Sequence, residues 1–148
     1  MSSSPPHILL VTDHPALTPA VLDSIRERAA RGPTRFQILV PNPAPAEWHP
    51  MHPERRDKLA EAERALESAR AVIEEAAGQP VAALVSIRHD PMDAIEDALR
   101  AGPIEEIFLA TERHSILRRL HSDLPHRLAH LGLPVTTINA DDHTAVHV

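Results

Sequence analysis

Between Phe108 and Arg127 the chain reads FLATERHSILRRLHSDLPHR. An apolar run ends at Ala110, a polar loop follows, and Ser122 stands just before a helix start. A strand that runs into a loop and then into a helix N-terminus is the architecture of a phosphate-holding site. There, main-chain N–H groups and the helix dipole face an anion. Such loops use glycine, because a side chain keeps the backbone away from the phosphate oxygens. No glycine occurs from Phe108 to Arg127. Instead Arg113, Arg118, Arg119 and Arg127 stand against Glu112 and Asp123, with His114, His121 and His126 alongside. Guanidinium groups can hold an anion by side chain where the backbone cannot. The plainer account is a solvated rim, since charged residues are mostly exposed.

The other chemically capable groups are more scattered. Asp13 ends the first apolar run, at the edge where open α/β sheets bind ligands. With Pro15 two residues on, it equally suits a local turn. His126 and His130 are spaced i, i+4, which places two imidazoles on one helix face and can serve a metal. Two ligands do not complete a site, and His49, His52, His143 and His147 lie in a proline-rich loop and the tail. No metal site is assigned. Ser115 and Ser122 have histidines nearby but no Gly-x-Ser-x-Gly elbow. Glu74, Glu75, Asp93, Glu96, Asp97, Glu105 and Glu106 read as helix surface and termini. No catalytic residue is assigned, and the expectation is a protein that is not an enzyme.

The elements that must position these groups alternate along the chain. His7 to Val11 suits a strand buried on both faces. Thr18 and Pro19 read as N-cap and first helical residue, and Gly32-Pro33 ends that helix. Arg35 to Val40 is the second strand. Pro41 to Glu54 carries five prolines and cannot be regular structure. Trp48 lies within it and is expected to cover the carboxyl edge of the sheet near Asp13, with an exposed partner anchor as the alternative. A helix follows from about Arg55 to Ala77, with Leu59, Ala62, Leu66, Ala69, Ile73 and Ala76 on one stripe, and Gly78 stops it. Val81 to Ile87 is the third strand. Asp90-Pro91-Met92-Asp93 starts a helix that Gly102-Pro103 closes. Ile104 to Thr111 is the fourth strand. Ser122 or Asp123 caps a helix carrying Leu124, Leu128 and Leu131, which Gly132 ends. Leu133 to Asn139 is the fifth strand.

This βαβαβαβαβ order implies a parallel sheet with helices on both faces and right-handed crossovers. The length, 148 residues, suits one domain over 1–148, with tails at 1–6 and 141–148. The formal net charge of −6 and the scarcity of aromatic residues argue against nucleic-acid binding. There is no cysteine, so disulfides and Cys-ligated zinc are excluded, and a reducing cytoplasm fits. No apolar run reaches the roughly 18 residues of a membrane span. The leader MSSSPPHILLV has no basic n-region, so no signal peptide is expected.

Three segments in this order resemble the universal stress protein family: HILLVTDH, HDPMDAIEDAL and LGLPVTTI. The first looks like the family's strand ending at an aspartate, the second like its Gly-Asp-Pro turn and helix, and the third like its final strand. The resemblance covers Pro6 to Asn139. It implies a three-layer α/β sandwich, Rossmann-like and of the adenine nucleotide alpha hydrolase type, with strand order 3-2-1-4-5. It also implies a nucleotide site in many members, through Gly-x-x-Gly-x9-Gly-Ser/Thr after the fourth strand. On this sequence the first glycine becomes Ala110, the second Arg113, and the final pair His121-Ser122, in a loop two residues short. The family directs an aspartate at Asp13's place toward the adenosine, next to Thr12, and its main chain at Val40's place toward the adenine.

The expectation is therefore a universal stress protein-like regulatory or interaction module in the cytoplasm, without the usual ATP site or a bound cofactor. The alternative is an ATP- or AMP-binding stress protein that uses Thr12, Asp13, Val40, Ala110, Arg113, His121 and Ser122 in a glycine-free loop. A small hydrolase or metal protein ranks below both. The resemblance and the β-branched, uncharged fifth strand both point to a homodimer through Leu133, Val135, Thr136, Thr137 and Ile138. Pairing there is expected to bury Val135 and Ile138. An unidentified protein partner fits as well; a nucleic acid or a membrane does not.

Overall fold

Strands and helices alternate in the computed structural model, which describes residues 5–12, 18–41, 54–86, 90–111 and 124–139. The strands are β1 (His7–Val11), β2 (Arg35–Val40), β3 (Ala82–Val85), β4 (Glu106–Thr111) and β5 (Val135–Asn139). The helices between them are α1 (Pro19–Ala30), α2 (Glu54–Ala77), α3 (Pro91–Ala101) and α4 (Leu124–Ala129). The sheet is parallel throughout, in the order β3-β2-β1-β4-β5. That is the expected order.

The central strands are apolar on both faces because both faces are covered. Ile8, Leu10, Phe36, Ile38, Phe108 and Ala110 point to one side, where they meet Val21 and Ile25 of α1 and Leu66 and Ile73 of α2. Leu9, Val11, Leu39, Ile107 and Leu109 point to the other, where Met92, Ile95 and Ala98 of α3 and Leu128 of α4 close over them. Phe36 and Phe108 pack edge to face at 6.3 Å between ring centroids. In α2, Ala62, Leu66, Ile73 and Ala76 of the predicted apolar stripe are buried.

The element ends differ from the sequence reading by a few residues, for local reasons. β3 begins at Ala82, where its register with β2 starts opposite Gln37, and the main-chain groups of the preceding Val81 bond to α2 side chains. Ile104 is buried but precedes β4, and the N–H of Glu105 reaches across to the His7 carbonyl at 2.9 Å. α4 stops at Ala129 rather than continuing through Leu131. The N–H groups of His130, Leu131 and Gly132 bond three residues back in a tightened final turn. Gly132 takes φ 77°, a left-handed conformation that lets the chain leave the helix for β5.

Candidate functional site

The strand order places a crevice by topology alone. β1 runs through α1 to β2 on one side, whereas β3 runs through α3 to β4 on the other side of β1. The helices that follow β1 and β4 therefore pack on opposite faces of the sheet, and open α/β sheets bind ligands at such a point.

Three of the seven predicted binding residues are described, and all three lie along this edge. Thr12 follows β1, is 4% exposed, and donates its N–H to the Leu39 carbonyl at 3.0 Å. Its main chain thus extends the ladder one residue past the strand. Val40 ends β2 fully buried, and its carbonyl accepts the Ser86 N–H at 2.8 Å. Ser86 is buried too, so Thr12 and Ser86 line the carboxyl edge as engaged polar residues. Ala110 stands in β4 opposite Ile138, is 1% exposed, and packs its methyl into the α1/α2 side of the core. Asp13, Arg113, His121 and Ser122 lie outside the described residues, as do Trp48 and the Arg118-Arg119 pair.

The chain contains four glycines. Gly32, Gly78, Gly102 and Gly132 each follow the end of a helix, at the amino edge of the sheet. Gly78 shows why: at φ 76° its N–H returns to the Glu74 carbonyl at 2.8 Å, ending α2 before the turn to β3. None remains for the carboxyl edge, where a phosphate cradle would need one.

His126 and His130 do come together, edge to face, with ring centroids 5.1 Å apart. Both are exposed, and among the described residues no three metal-ligating side chains gather. No described helix is long and apolar enough to cross a membrane.

Clefts formed by described residues lie on both flanks of the sheet. One, of about 160 Å³, sits between α1 and the β4–β5 side and is lined by Ser24, Glu27, Arg28, Arg31, Glu106, Phe108 and Thr136. The other, also about 160 Å³, lies between α2 and β3 and includes Glu63, Glu67 and Leu84. The sequence signal for this second cleft is the like-charge i, i+4 pair Glu63 and Glu67 in α2. On β5, Ile138 is already buried within the chain and Val135 is partly covered by the α3/α4 side. Among the described side chains of the strand, those left exposed are Thr136 and Thr137. This corrects the expectation that pairing at this strand would bury Ile138.

The fold and the position of the crevice define a doubly wound, Rossmann-like α/β protein. No family model and no curated protein matches the chain. Solved structures of universal stress proteins do. The UspA protein of Lactobacillus plantarum aligns at a TM-score of 0.66 and 19% identity, over 93% of this chain and 100% of its own. The universal stress protein of Archaeoglobus fulgidus, solved with dAMP, aligns at 0.60 and 16%, over 92% and 98%. A further universal stress protein, solved with cAMP, aligns at 0.50 and 17%, over 93% and 99%. The chain therefore has the universal stress protein fold, as its sequence resemblance implied.

Proposed function

We propose that the protein is a universal stress protein-like regulatory or interaction module, homodimeric and cytoplasmic, that lacks the family's usual ATP cradle. It performs no catalysis of its own in this reading, and neither a nucleic acid nor a membrane is its partner. One observation carries the reading: every glycine of the chain stands at a helix end, and Ala110, where the phosphate motif would open, packs its methyl into the core. Backbone N–H groups cannot approach phosphate oxygens closely past side chains at each motif position.

A second reading has its own support. Two of the similar structures hold adenine nucleotides, dAMP and cAMP. In that reading AMP or ATP sits at the β1/β4 crevice beside Thr12 and Val40, with arginine side chains replacing the glycine cradle. Calorimetry with ATP and with AMP at tens of micromolar protein separates the two. We expect no saturable heat and no rise in melting temperature, since a ligand that binds only the folded state must raise it. Saturable heat that Asp13→Ala or Ser122→Ala abolishes would establish the second reading instead.

A further inference from the structure

The two edges of the sheet are finished differently. β3 forms one edge and pairs with β2 alone. Along a parallel strand, the main-chain groups of successive residues point alternately to its two sides. Ser86 donates to the Val40 carbonyl, so Ala82 and Leu84 also face β2. Val81, Ala83 and Val85 face outward. The chain closes the first of these positions itself. The Val81 N–H donates to Glu74 Oε2 at 3.1 Å, and the Val81 carbonyl accepts from Arg70 Nη2 at 3.1 Å. Among the described residues no side chain does the same at Ala83 or Val85. An edge left open in this way is a template for strand addition.

The surroundings of the open positions fix the chemistry of what can add there. The cleft beside them is lined by Glu63, Leu66, Glu67, Ala83, Leu84 and Val85. Its titratable groups are both acidic. Glu67 is paired with Arg70 at 3.2 Å, whereas Glu63 has no ionic partner among the described residues. Ala83 and Val85 turn their side chains toward α2, so Leu84 lies on the opposite face, where it is 53% exposed. An added strand would alternate in the same way. Its residues on the α2 face would meet Glu63 and Glu67, and those on the other face would meet Leu84.

We infer that the β3 edge binds an extended peptide segment of alternating basic and apolar residues, which adds as a sixth strand. A second copy of this chain is the wrong occupant, because two acidic clefts would then face one another. The inference gives the interaction-module reading a place and a partner chemistry, and it rests on that reading.

The test uses the full chain and a fluorescent synthetic peptide, Arg-Val-Arg-Val-Arg-Val-Thr, followed by anisotropy. Two controls accompany it: one with Glu in place of Arg, and one of equal charge with Pro in place of Val. We expect saturable binding of the first peptide alone. Ala83→Pro removes an outward N–H without touching the β2 ladder, and should weaken binding by about tenfold or more, a loss of about 1.4 kcal/mol. Glu63→Lys alters only an exposed side chain and should weaken it similarly, so the test survives if the proline variant fails to fold. Absence of binding, equal binding of either control, or a full-affinity Glu63→Lys variant would overturn the inference. So would a wild-type dimer that Ala83→Pro converts to monomer, since a second copy would then occupy this edge. ATP calorimetry reads the crevice and this peptide reads the β3 edge, so either result can fail without the other.

Discussion

At the scale of single residues, buried polar atoms are the informative ones. Thr34 is 1% exposed, and its Oγ1 has no hydrogen-bond partner. A buried hydroxyl left unbonded costs about 1–3 kcal/mol relative to one that is satisfied. Valine has nearly the same shape and no such group. We expect Thr34→Val to raise stability by about 1 kcal/mol, a rise of roughly 2–4 °C in Tm for a chain of this size. A lower Tm for the variant would mean that the hydroxyl is bonded in solution. Thr18 shows how far residue identity reaches. Its φ of −76° and ψ of 162° are those of an N-cap, as the sequence reading expected, yet its side chain makes no capping bond. The residue type set the helix boundary, whereas the rotamer answers to packing that no local pattern records. Among ion pairs, Arg28 to Glu106 at 3.2 Å joins α1 to β4 with both side chains only about a fifth exposed. The other described pairs lie within single helices, largely in solvent, and contribute a few tenths of a kcal/mol each.

At the scale of elements, α3 is the most completely specified by its own residues. Asp90 is extended at φ −79° and ψ 119°, and its Oδ1 accepts the Met92 N–H at 2.9 Å. Pro91 follows at the first helical position, and Asp93 lies in the first turn. Met92, Ala94, Ile95 and Ala98 then bury one face. Asp90→Ala removes the cap and should cost about 1 kcal/mol, whereas Asp90→Ser should retain most of it. Thermal unfolding of the two variants compares them directly, and equal Tm values would show that the cap contributes nothing. Strand ends were less legible than helix starts. The residues from Val81 to Ile87 suit a strand by hydropathy, but pairing decides where a strand stops, and β3 spans Ala82–Val85. The outward main-chain groups of Val81, just before the strand, are held by two α2 side chains, Arg70 and Glu74, across the Gly78 turn. Likewise the β1/β4 crevice was legible because it follows from strand order. The acidic β3 cleft was not, because it exists only once α2 lies beside β3.

At the scale of the whole molecule, the two sheet edges suit different partners. β5 carries no charge, and the cleft beside it mixes signs: Glu27 and Glu106 with Arg28 and Arg31. Two copies can meet there without the repulsion that opposes self-pairing at β3. The main chain is suitably arranged. Ile107 donates its N–H to the Pro134 carbonyl at 3.0 Å, so residue 134 faces β4, and by alternation Thr136 and Ile138 do as well. Val135, Thr137 and Asn139 present their groups outward, and Pro134, which faces β4, does not block that edge. Antiparallel pairing of two such strands about a two-fold axis is isologous, so each copy satisfies the edge of the other and the assembly closes at two. Ile138 is already buried, so the contact relies on main-chain bonds and on Thr136 and Thr137. Thr137→Pro deletes an outward donor at the centre of that edge and leaves the β4 ladder intact. We expect light scattering to report a dimer for the wild type and a folded monomer for Thr137→Pro. A dimer unchanged by that substitution, or a wild-type monomer at high concentration, would place self-association elsewhere or remove it.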